Sequence, residues 1–180
     1  MTTGGAGPAG GRAPGLAGIV RAWRAVLLHP RRFFRTGIAP GEQAPGLTFV
    51  MAVVLIEESV RLWLTPSAIP LLAGSEPVSG VLTVGIAVLL VTPAVLHLVA
   101  GIQTVLLIPL TADRAGVSQT VQVLAYATAP CVFGGLPIPI VRVTCALYGT
   151  GLYLIGLGIV HDIDPWRALV TGSLPAGIVF

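Results

Sequence analysis

The chain has 180 residues, of which 54% are hydrophobic and only 9% charged, against roughly one-quarter charged in an average soluble domain. A water-soluble fold would then lack a polar surface, so composition points instead to an all-α bundle in a bilayer, where the length suits about five spans of roughly 20 residues. The net charge is +3 and all ten basic residues are arginines, six of them (Arg12, Arg21, Arg24, Arg31, Arg32, Arg35) ahead of the first long apolar run; with no nucleic-acid module beside them they read as a topology signal that also attracts anionic headgroups, and nucleic acid is excluded as a partner.

Residues 1–18 are mostly Gly, Ala, Pro and Thr without periodicity, too little apolar surface to offset the entropy of ordering a chain, and are expected to form a disordered tail. From Ile19 onward, Val20, Trp23, Val26 and Leu27 recur at helical spacing around Arg21 and Arg24, and Pro30 interrupts before Arg31, Arg32, Phe33 and Phe34. This predicts a basic segment over 19–44 lying on the membrane surface, with Arg21, Arg24, Arg31, Arg32 and Arg35 against lipid headgroups. The two arginines and the lack of a small-residue cleavage pattern argue against a signal peptide.

A transmembrane domain is expected over 45–180. Its first span, 47–64, is bounded by Pro45 and Pro66 and contains Glu57, Glu58 and Arg61. Residues 64–80, with three prolines, are expected to form a loop. The uncharged stretch 81–110 is too short for two spans and a turn, so it reads as one tilted or kinked helix, with Pro93 at the kink and His97 and Gln103 offering polar contacts to neighbouring helices. A turn follows at Asp113, Arg114 and Gly116. The third span, 118–133, carries the small-residue pair Ala125 and Ala129; the fourth, 138–160, has Arg142 near its start and Gly149, Gly151, Gly156 and Gly158 for close packing. His161 to Pro165 form a loop, and 166–180 is a fifth, short apolar segment.

Ionisable residues inside a span cost several kcal/mol unless paired or hydrated, which singles out Glu57, Glu58, Arg61 and Arg142. The plainer reading is an ion-pair cluster that locks the bundle, with both glutamates sharing Arg61 and Arg142; the alternative is an ion or proton pathway. His97 has no second histidine at ligand spacing and reads as a packing residue. The run His161-Asp162-Ile163-Asp164 offers too few ligands for calcium and reads as a solvated loop. Cys131 and Cys145 read as buried thiols. No nucleophile elbow, HExxH, phosphate-cradling loop or dinucleotide fingerprint occurs, so neither catalysis nor a cofactor nor a metal is expected.

His29-Pro30-Arg31-Arg32-Phe33-Phe34 ahead of the first span and Tyr126-Ala127-Thr128-Ala129-Pro130 in the third resemble the prokaryotic branch of the YIP1 family. Ile138-Pro139, Gly156-Leu157-Gly158-Ile159-Val160-His161 and Arg167-Ala168 are similar to its second half. The resemblance covers about residues 30–180 and implies a five-span fold in the cell membrane with a cytoplasmic N-terminus. The long acidic and aromatic N-terminal region of trafficking members is missing, so GTPase binding is not carried over. Two functions are consistent with the residues: a non-enzymatic protein that organises lipid or binds other membrane proteins or its own copies, or a small transporter or channel subunit working through Glu57, Glu58 and Arg61. Arginine counting places the N-terminus inside, the turns at Asp113 and 161–167 inside, and the C-terminus outside.

Overall fold

The computed structural model describes residues 15–111 and 114–180; the expected tail up to residue 14 and the turn residue Asp113 lie outside the described residues. Among the described residues eight α-helices follow one another: α1 Leu16–Leu28, α2 Pro30–Thr36, α3 Ala44–Leu64, α4 Glu76–Ile86, α5 Thr92–Leu107, α6 Val117–Ala127, α7 Pro139–Val160 and α8 Pro165–Val179. A π turn over Ala87–Val91 joins α4 to α5, and a 3-10 turn over Ala129–Phe133 follows α6. The protein is all-α, with no strand among the described residues.

Proline chemistry sets most of the boundaries. Pro30, Pro45, Pro77, Pro139 and Pro165 each occupy the first turn of a helix, where the missing N–H would have had no intrahelical partner. Glu76 and Pro77 therefore start a helix inside the stretch expected to be a loop: an acidic residue and a proline suit the positive N-terminal end of the helix dipole. The run from Glu76 to Leu107 is continuous for 32 residues. Pro93 does not simply kink it. Its ring cannot share space with the carbonyl one turn earlier, and the helix widens into the π turn just before it, where the Thr92 N–H reaches Ala87 O and the Thr92 hydroxyl donates to the same oxygen at 2.7 Å.

Helix α6 is the centre of the bundle. Every residue from Thr120 to Ala127 is buried, and α3, α5 and α7 pack around it. Gly46 of α3 permits one close approach, since a Cβ there would stand 3.3 Å from Gln122 Cα and 3.4 Å from Ala125 Cβ. On the other side Gly156 of α7 lies against Val123 and Phe34, with 2.7 Å from its ideal Cβ to Val123 Cγ1. Of the four α7 glycines expected to serve packing, Gly149 and Gly156 are buried at contacts, whereas Gly151 faces open space.

The buried polar side chain Gln122 pins the connection between α2 and α3. Its amide copies a backbone pairing: Ala39 N–H donates to Oε1 at 3.3 Å, and Nε2 donates to Ala39 O at 2.7 Å. Gln122→Leu takes from the buried Ala39 N–H its acceptor and leaves the Ala39 carbonyl only the longer bond from Glu42 N at 3.4 Å, at a cost of about 2 kcal/mol. Thermal unfolding in detergent should show the loss, and Gln122→Glu, which keeps only the acceptor, should fall between leucine and wild type.

Two helical runs, Glu76–Leu107 and Pro139–Val160, are long and apolar enough to cross a membrane. In the first, only 11% of the most apolar window is buried, so Leu89, Leu90, Leu98 and Val105 present their side chains outward. Helix α3 has 21 residues but carries three charges, and α6 and α8 have 11 and 15 residues.

Candidate functional site

On α3, Val50, Val53, Val54, Glu57 and Arg61 fall along one helical stripe, and all five line a cavity of about 440 Å³. Its other walls come from α5 (Val95, Leu96), the 3-10 turn and the residue that caps it (Cys131, Gly134), α7 (Arg142, Cys145) and Phe180. The side chain of Arg61 turns toward Glu58, three residues earlier: Nε donates to Glu58 Oε2 at 3.1 Å and Nη2 pairs with the same oxygen. Glu57 instead extends over Gly134, where a Cβ would meet its Oε1 at 2.7 Å.

Arg142 lines the same cavity but does not enter the expected four-membered cluster. Exposed at the start of α7, it donates from Nε to Gly134 O at 3.1 Å and to Leu136 O at 3.0 Å. The reason is local: Pro137 and Pro139 supply no N–H to this turn, so its carbonyls need a side-chain donor, and Arg142 is within reach. The cavity thus gathers one carboxyl and two guanidinium groups with the hydroxyl residues Thr92 and Thr128 among aliphatic walls, a set able to hold a small polar or charged group.

The remaining expected site residues divide. His97 is exposed, with Nε2 2.9 Å from Gln43 Oε1 beside the start of α3 and Nδ1 2.7 Å from Pro93 O. Gln103 is fully buried and accepts from the Tyr153 hydroxyl at 2.7 Å. Arg21, Arg24, Arg31, Arg32 and Arg35 are all exposed. The helix carrying the first two starts at Leu16 and is docked on the bundle: Gly18, Ala22 and Val26 are buried, and Trp23 Nε1 donates to Ala129 O at 2.8 Å. The Tyr148 hydroxyl donates to Leu27 O at 2.6 Å, at the break that Pro30 imposes.

His161 corrects the expected solvated loop. It caps the C-terminus of α7 and is buried, as is Ile163, while Asp162 and Asp164 are exposed. Its Nε2 lies 3.0 Å from Thr120 Oγ1 of α6, and Nδ1 has no hydrogen-bond partner among the described residues. The turn is tight, with Asp162 at φ +50° and Ile163 N–H bonded back to Gly158 O at 3.1 Å, and this closing turn directs His161 and Ile163 inward while the two aspartates face out.

No curated protein and no solved structure matches the chain. The family model for the Yip1 domain matches residues 24–180, a span that takes in α3 to α8, the cavity and both runs long enough for a bilayer, and the chain belongs to the Yip1 domain family.

Proposed function

We propose that this protein is a non-enzymatic, five-span membrane protein that organises lipid, and engages other membrane proteins, through its helix faces and basic N-terminal segment. The observation that carries the reading is the outward face of Glu76–Leu107. A contiguous apolar face of that length is not tolerated in water and is matched by lipid. The five spans are α3, the α4–α5 run, α6 with its 3-10 turn, α7 and α8.

Arginine placement supports an inside N-terminus. Arg31 and Arg35 line a groove with Asp162 of the α7–α8 loop, Arg114 lies close enough to His161 to perturb it, and Arg167 Nη1 donates to Leu110 O at 3.2 Å. These cations gather at one end of the bundle, as the positive-inside rule requires, and α8 then ends outside.

A second reading, a transporter or channel subunit, draws on the cavity with Glu57, Arg61 and Arg142, since buried ionisable groups mark ion pathways in other membrane proteins. Purified protein in liposomes under a pH gradient separates the two. No protein-dependent proton flux is expected. Flux that disappears in Glu57→Gln would replace the lipid-organising reading with the transport one.

A further inference from the structure

Helix α2 is anchored by Phe33 and Phe34, both buried, with Phe33 stacked edge-on to Tyr126 at a centroid distance of 4.8 Å. That anchoring fixes where its other residues point. Arg31 and Arg35, four residues apart and so on one edge of the helix, both line a groove of about 620 Å³. Its floor is apolar: Leu154, Ile155 and Ile159 of α7, faced by Leu169 of α8. Asp162 stands at the loop end. Neither arginine makes a hydrogen bond or ion pair among the described residues, with Asp162 or any other group.

Two unpaired guanidiniums, a nearby carboxylate and a run of aliphatic side chains make an amphipathic site with a defined order of charge. A phosphate between two arginines gains charge-assisted, bidentate hydrogen bonds. A free phosphate would leave the aliphatic floor unused and bring like charge to Asp162. An apolar helix in the groove would strand both arginines. A phospholipid whose headgroup ends in an ammonium satisfies all three parts. Trp166, at the start of α8 beside the groove, is exposed, as suits a ring at headgroup level.

We propose that this groove binds one aminophospholipid molecule, its phosphate held between Arg31 and Arg35, its ammonium at Asp162 and an acyl chain along Leu154, Ile155 and Ile159. The site deepens the lipid-organising function above and rests on it. It also assigns different work to the two halves of the basic segment: Arg31 and Arg35 belong to a built site, Arg21 and Arg24 to an open face of α1.

Gly158 provides a clean block. A Cβ there would meet only Ile163 O, at an ordinary 3.4 Å, and Gly158 lines the groove, so Gly158→Leu places its side chain at the site with no overlap at Cβ. Full-length protein in detergent, titrated with phosphatidylethanolamine and read by native mass spectrometry, should retain one lipid. Arg31→Gln/Arg35→Gln and, separately, Gly158→Leu should each weaken retention about tenfold or more, the scale of a lost charge-assisted hydrogen bond. Arg21→Gln/Arg24→Gln removes the same charge from the open face of α1 and should weaken retention of this one lipid several-fold less than Arg31→Gln/Arg35→Gln does. Asp162→Asn should reduce the preference for phosphatidylethanolamine over phosphatidic acid. Equal retention by both arginine pairs and by Gly158→Leu would overturn the groove while leaving lipid binding intact. Competition by soluble phosphoethanolamine at matching affinity would overturn it in favour of a free headgroup. Retention of no lipid by any form would remove the groove and the lipid-organising reading together. Unchanged melting of each variant shows that folding is not what is being read.

Discussion

Gly135→Val is expected to destabilise the bundle by about 3 kcal/mol or more, a large share of the roughly 5–15 kcal/mol that holds a typical fold together. Gly135 is buried where the turn after the 3-10 segment crosses α3. A Cβ at this position would overlap the carbonyl oxygen of Glu57 and stand 3.1 Å from Arg61 N. These two atoms are partners at i and i+4 within α3, so the intruding group meets helix backbone and not the end of a flexible side chain. Either the turn lifts off α3 or the helix distorts, and both open the wall of the cavity that holds Glu57, Arg61 and Arg142. Gly151→Ala is the control. Nothing lies within 4 Å of its Cβ position, and alanine is a better helix former by up to about 1 kcal/mol, so it should melt at or above wild type. Identical thermal unfolding of Gly135→Val and wild type in detergent would show that the turn does not contact α3 this closely.

Acidification is expected to remove a comparable amount of stability through His161. Burial, and then the charge of Arg114, lower its pKa from 6.5 to about 4. Geometry agrees with the direction. The imidazolium would need two acceptors, yet only Nε2 has a partner, Thr120, and buried Nδ1 has none among the described residues. The unfolded chain therefore takes up a proton near pH 6.5, while the folded one resists until about pH 4. Between these values the unfolded state binds more protons, so stability is complete above the upper one and falls as pH drops toward the lower. At roughly 1.4 kcal/mol for each tenfold change, the full loss is about 3 kcal/mol. Denaturation midpoints measured from pH 7 to 4.5 should fall steeply for the wild type and remain much flatter for His161→Gln. A wild-type slope no steeper than that of the variant would place His161 in solvent.

Much of the helical framework was legible because its signals are local. Proline in the first turn and apolar runs behind it mark two helices in particular: α7 begins at Pro139, where a helix was expected from residue 138, and α8 covers Pro165–Val179, where an apolar segment was expected over 166–180. The missed start of α4 is instructive: prolines and glycines around residues 66–80 suggested a loop, although Glu76-Pro77 is itself a helix opening. The widening before Pro93 was harder to foresee. A proline inside a helix demands that the carbonyl one turn back be moved, but whether the chain bends or inserts a residue depends on its neighbours.

The sequence by itself determined which residues would be awkward in a bilayer and which faces of each helix they share: Glu57 and Arg61 one turn apart, Arg31 and Arg35 one turn apart, arginine crowded toward the N-terminus. Only the tertiary structure decided what those residues meet. Arg142 serves the carbonyls of Gly134 and Leu136, His161 turns inward to Thr120, α1 docks through Trp23, and Arg31 and Arg35 face Leu154 and Ile155, more than a hundred residues away along the chain. Helical period and capping are set by side chains within a turn or two of one another, so a short window contains them. Contacts between helices depend on which glycines allow backbones to close and which turns still need donors, and those requirements are met only when distant segments pack together.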